Sequence, residues 1–102
     1  MAKKHKLKLH LDGARCLNAA VSLDMSPAEM TKDFDTVTIC LSKGLGCPLG
    51  SLILCNAKDF KQFFILRKLL GGNFRQAGIL AQAGIEALKD WDVKLKQDHD
   101  NA

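Results

Sequence analysis

The stretch TICLSKGLGCPLGS, residues 38–51, decides how the chain is read. Its opening, with Thr36 and Val37 before it, is β-branched and apolar, the composition of a buried strand. The apolar run stops at Ser42-Lys43, and Gly44, Gly46 and Gly50 follow. The sequence then turns apolar again in LGSLILC, residues 49–55, which reads as a second strand. The link from Lys43 to Leu49 is too short for the helical crossover that a parallel partner needs. Residues 36–41 and 49–55 are therefore expected to pair antiparallel.

Upstream, Leu7, Leu9 and Leu11 alternate with Lys8, His10 and Asp12, which predicts a strand over residues 7–12. ARCLNAAVSL, residues 14–23, is rich in helix formers and places Leu17, Ala20 and Val21 at helical spacing. Ser26-Pro27-Ala28-Glu29 combines an N-cap serine, a proline in the first turn and a capping-box glutamate. The short helix it starts is expected to end near Phe34. Strand, helices, strand is a βαβ pattern, so the first two strands should be parallel, with a right-handed crossover. Downstream, a helix over residues 57–70 carries Phe60, Phe63 and Phe64 on one face and breaks at Gly71-Gly72. A longer helix is predicted from Phe74 to about Lys96, with Leu80, Gly84, Leu88, Trp91 and Leu95 as its apolar stripe. Residues 97–102 are expected to fray. The fold class is α/β: parallel strands, an antiparallel strand after the lysine loop, and helices packed on the sheet.

Composition narrows the function. The chain has 102 residues, 47% hydrophobic and 25% charged, which is ordinary for one small globular domain. The net charge is +4, concentrated at Lys3, Lys4, Lys6 and Lys8. With one Trp, no Tyr and no recognition motif, this basic run reads as a solvated edge, and no nucleic-acid partner is expected. No apolar run reaches the roughly 18 residues that cross a bilayer. The start, MAKKHKLKLH, lacks the apolar core of a secretory signal and the Arg- and Ser-rich character of a transit peptide, so a cytoplasmic location is expected. Cys16, Cys40, Cys47 and Cys55 form no C-x-x-C pair, so no metal site is expected, and they read as reduced thiols.

In open α/β sheets, ligands bind beyond the carboxyl ends of the strands. Asp12 closes the first predicted strand and Lys43 follows the second. A lysine in water has a pKa of about 10.4 and is a poor nucleophile at neutral pH. At the rim of a packed sheet it is expected to lose solvation, which favours the neutral amine. A neutral amine forms Schiff bases with carbonyls, including the aldehyde of pyridoxal phosphate. That cofactor also takes a carboxylate at its ring nitrogen, a role open to Asp12. The competing reading makes Lys43 a solvated loop residue and Asp12-Gly13 a turn. The glycines after Lys43 fit no phosphate loop, because Ser42-Lys43 precedes them instead of following.

HLDGAR (10–15), LNAAV (17–21), LSKGLGCPLGS (41–51), RKLLGG (67–72) and RQAGILAQAG (75–84) together resemble the low-specificity L-threonine aldolases of the β-eliminating lyase superfamily. The resemblance runs from about Leu7 to Leu88. It implies the fold-type-I, aspartate-aminotransferase architecture, with residues 1–102 as a central fragment of the cofactor-binding large domain. It implies pyridoxal 5'-phosphate as cofactor, an amino-acid substrate and a homo-oligomer. The implied reaction cleaves L-threonine or L-allo-threonine to glycine and acetaldehyde. By the same resemblance, Lys43 is the Schiff-base lysine, Asp12 the partner of the ring nitrogen, and Arg15 a cofactor and substrate-carboxylate residue. Lys68 and Arg75 match basic residues near a neighbouring subunit's site, and His10 a structural position. The chain departs from the family pattern at Asn73 and Phe74, where a glycine and a methionine are usual. It also lacks the phosphate cradle, the stacking histidine and the small domain. The alternative expectation is therefore a non-catalytic remnant.

Overall fold

A computed structural model describes residues 1–102, apart from the side chain of Lys3. Three strands, β1 (His10–Asp12), β2 (Thr36–Cys40) and β3 (Ser51–Cys55), form one sheet in the order β1-β2-β3. β1 pairs parallel with β2, in the register His10 to Thr36 and Asp12 to Thr38. β3 pairs antiparallel with β2, from Thr36–Cys55 to Cys40–Ser51. The parallel pairing of the first two strands and the antiparallel return after the lysine loop both hold.

Between β1 and β2 lie α1 (Cys16–Ser22) and α2 (Pro27–Thr31), and after β3 come α3 (Phe60–Leu69), α4 (Gly78–Ala87) and α5 (Trp91–Asp100). The capping box at α2 is complete. Ser26 Oγ accepts from the Glu29 amide, and the Glu29 carboxylate accepts from the Ser26 amide. Strand residues alternate between faces. On one face, Leu11 and Ile39 pack against a core of Cys16 and Leu17 from α1 and Leu95 from α5. On the other face, His10 bridges β2: its Nδ1 lies 2.9 Å from Thr36 Oγ1 and its Nε2 3.4 Å from Thr38 Oγ1.

Several boundaries differ from the sequence reading, among them the end of β2 at Cys40 and the start of β3 at Ser51. The first strand is His10–Asp12, not residues 7–12. At Leu9 the carbonyl accepts from both Asp35 and Thr36 amides, and the Leu9 amide turns to the Asp35 carboxylate, so the ladder starts only after Leu9. α2 stops at Thr31 and closes with Phe34 N–H to Thr31 O. The helix from Ala57 opens as a 3-10 turn, Ala57–Asp59, before α3. The long helix expected over 74–96 is two helices broken between Ala87 and Trp91, and α5 runs on to Asp100.

The break serves packing: Gly84 of α4 lies over Leu41, while Leu95 of α5 packs on α1. The radius of gyration is 15.1 Å, larger than the ~13 Å of a compact chain of this length. The excess reflects β3, α3 and α4, whose apolar residues Ile53, Phe60, Leu69, Leu70 and Ile79 are more than half exposed. Among the described residues, no helix is long and apolar enough to cross a membrane.

Candidate cofactor site at the carboxyl ends of the strands

Asp12 is the last residue of β1, and its carboxylate begins the turn into α1. Oδ1 accepts from the Ala14 amide at 3.3 Å, the self-capping turn expected of Asp-Gly. Gly13 is buried beneath it. A Cβ there would sit 2.8 Å from the Thr38 carbonyl, so only glycine lets this turn pass so close to β2. Arg15 follows as the N-cap position of α1. β1, the Asp12–Gly13 turn and the α1 start thus put a carboxylate and a guanidinium at the same end of the sheet.

Lys43 stands beyond the carboxyl end of β2, the neighbouring strand. Its loop is internally braced. Gly46 N–H donates to Lys43 O at 2.8 Å, Cys47 N–H to Leu41 O at 3.0 Å, and Leu41 N–H to Gly50 O at 2.9 Å. Gly46 takes φ +68°, a value that disfavours a side chain. Asp12, Arg15 and Lys43 are all exposed. The expected loss of solvation at Lys43 is therefore not supplied by this chain's own packing. Among the described residues, neither the Lys43 amine nor the Arg15 guanidinium makes a hydrogen bond or ion pair.

The opposite end of the sheet behaves differently. A concavity there is lined by Lys6, Lys8, Lys32, Asp35 and Asn56. Asp35 takes Lys8 Nζ at 2.7 Å and the Leu9 amide at 2.9 Å. The Lys8 hydrogen bond holds the Asp35 carboxyl below its ordinary range, and the backbone amide of Leu9 adds to this. At that end Lys8 and Asp35 are tied to each other, whereas at the other end Asp12, Arg15 and Lys43 make no ion pair among the described residues.

Lys68 lies in the last turn of α3, and Arg75 between α3 and α4. Both are exposed, and no described interaction joins them to Asp12, Arg15 or Lys43. Sequence reasoning missed a shallow groove beside Arg15, lined also by Asn18 and Ser22 of α1 and by His99 of α5. Its signal was the polar positions 15, 18 and 22, one helical face of an otherwise apolar segment.

The beta-eliminating lyase family model matches residues 1–102. The chain belongs to the beta-eliminating lyase family. The low specificity L-threonine aldolase of Escherichia coli (strain K12) is 50% identical over 100 residues, covering 98% of this chain and 30% of that protein. Low-specificity L-threonine aldolase 1 of Arabidopsis thaliana is 43% identical over 102 residues, covering the whole chain and 28% of the relative. A crystal structure of a Listeria monocytogenes EGD-E protein, described as an L-allo-threonine aldolase, superposes with a TM-score of 0.86 at 22% identity. That match covers 94% of this chain and 27% of that one, and it shows the shared fold. This beta-eliminating lyase chain spans about 30% of the length of the E. coli relative.

The residues of this family member fit a pyridoxal phosphate group by the chemistry of the donors present. A primary amine, a carboxylate and a guanidinium, none tied to a charged partner among the described residues, lie at or just beyond the carboxyl ends of two adjacent strands. An aldehyde calls for the first, a pyridine nitrogen for the second, and an amino-acid carboxylate for the third.

Proposed function

We propose that this chain carries the lysine, aspartate and arginine of a pyridoxal-phosphate-dependent threonine aldolase site. The site would act on L-threonine or L-allo-threonine and yield glycine and acetaldehyde. The observation that carries the reading is the trio Asp12, Arg15 and Lys43, exposed and without an ion pair among the described residues, in a chain of this family. Pyridoxal phosphate supplies an electron sink for the pair left behind when the Cα–Cβ bond breaks.

Three of the chain's own groups would hold the cofactor and the substrate. Lys43 would hold the cofactor by its aldehyde, through its primary amine. Asp12 accepts a hydrogen bond from the protonated ring nitrogen and so keeps that proton in place. Arg15 offers a two-pronged donor to the substrate carboxylate. Lys68 and Arg75 are assigned to a neighbouring subunit's site in a homo-oligomer, and the location to the cytoplasm. The first assignment rests on resemblance to the family and the second on the character of the opening residues.

The exposure of all three groups supports a second reading, in which the chain binds the cofactor without turnover. Water has open access to them, and productive chemistry of this kind depends on a closed, well-oriented site. An assay of acetaldehyde release from threonine, with pyridoxal phosphate supplied, separates the two. Release that disappears in Lys43→Ala supports the aldolase reading. Binding that weakens in Asp12→Asn, without release, supports the second. Binding unchanged in Asp12→Asn and Lys43→Ala contradicts both.

A further inference from the structure

The loop that carries Lys43 is pressed against two helices at one point. Gly44 has no Cβ, and an added one would lie 2.7 Å from Asn18 Oδ1 and 2.8 Å from Leu95 Cδ2. Real Cβ atoms do not approach other atoms so closely. Gly44 has no left-handed φ, so close approach, and not backbone conformation, is what demands glycine here. The two contact residues differ in freedom. Asn18 is half-buried on α1, whereas Leu95 on α5 is 1% exposed and is the largest fully buried side chain among the described residues. Leu95 is held by Cys16 and Leu17 and cannot swing away. The loop is thus seated on a wall with one firm side and one yielding side.

We propose that Leu95 and Asn18 are positioning residues for Lys43: they form the wall on which Gly44 rests, and so fix where the preceding residue presents its amine. The inference rests on the reading of Lys43 as the cofactor's amine. It adds that α5, which supplies none of the charged groups assigned to the cofactor, sets the position of one of them. A methyl group at residue 44 lifts the loop off Leu95 and carries Lys43 with it. Two hydrogen bonds report that movement directly, Gly46 N–H to Lys43 O and Cys47 N–H to Leu41 O.

The test compares the wild-type chain with Gly44→Ala, Asn18→Ala and the double variant. Gly78→Ala serves as control, because a Cβ there meets nothing within 4 Å. Two quantities are read: hydrogen exchange at the Gly46 and Cys47 amides, and borohydride-trapped pyridoxal phosphate at Lys43 relative to exposed Lys58 and Lys61. Gly44→Ala should speed both exchanges and lower the Lys43 ratio about tenfold or more, since a misplacement near 1 Å can cost a positioned group about a hundredfold. Asn18→Ala in the Gly44→Ala background should restore part of the ratio, because it clears one side of the wall. A general loss of stability would not restore it.

Asn18→Ala alone adds no volume. It should speed exchange at Gly46 with the far-ultraviolet spectrum unchanged, which keeps the test decisive even if Gly44→Ala does not fold. Selective labelling in the wild type, with exchange and ratio unchanged in Gly44→Ala and in Asn18→Ala, overturns the wall and leaves the role of Lys43 standing. A wild type without selective labelling at Lys43 overturns that role, and the positioning role with it.

Discussion

Asp35 shows how a charge reads when the fold has claimed it. Its carboxyl is held low by the Lys8 hydrogen bond, so the native state gains stability from the ionised form. That gain is fully present above the ordinary carboxyl value of 3.8 and is lost as the pH falls through the depressed value. Lys8 is correspondingly raised, so its share persists through neutral pH and disappears only in strong base. Melts taken between about pH 5 and pH 2 should therefore lose stability in wild type, and Asp35→Asn should flatten part of that slope. An unaltered slope would remove the Lys8–Asp35 pair from the account. Cys16 gives a second check. Burial pushes its thiol up and leaves little thiolate, so iodoacetamide should modify Cys40 and Cys55 before Cys16. Alkylation of Cys16 first would contradict its placement in the core. The identities of Asp12 and Lys43 were legible as residues at strand ends. Their exposure matches the competing reading of a solvated loop lysine and an Asp-Gly turn, and the desolvation expected at the sheet rim did not hold, because solvent access depends on what lies over a strand end.

Local chemistry marked the elements well where it was strong. The Ser26–Glu29 capping box was readable and is formed, and Ser26→Ala should cost about 1 kcal/mol in a denaturant titration. No change in midpoint would mean that α2 adds nothing to stability. The β2–β3 hairpin was readable because its connection was too short for any other pairing. The break between α4 and α5 was not readable. Leu80, Gly84, Leu88, Trp91 and Leu95 continue at helical spacing, and neither glycine nor proline lies between Ala87 and Trp91. Tertiary packing alone splits them, since Gly84 must meet Leu41 while Leu95 must meet α1. Likewise β1 is short because Asp35, a residue beyond any local window, takes the Leu9 amide out of the ladder.

At the scale of the molecule, the apolar surface left open is large and concentrated. β3 has one free edge and carries no charged residue from Ser51 to Cys55, while Ile53 and Leu54 stand 56% and 46% exposed. An uncharged apolar edge strand is a template for pairing with another chain. Sedimentation of the chain should show an average mass rising with concentration, and Ile53→Lys should bring it down toward 11.2 kDa. A single 11.2 kDa species at every concentration would contradict this reading of the β3 edge. The central claim, that the carboxyl ends of β1 and β2 build a pyridoxal phosphate site around Lys43, has a more direct test. The chain is incubated with pyridoxal phosphate, reduced with borohydride, digested and mapped. The account predicts label concentrated on the peptide containing Lys43 and lost in Lys43→Ala. Label spread over surface lysines such as Lys4 and Lys8, with none at Lys43, would contradict it.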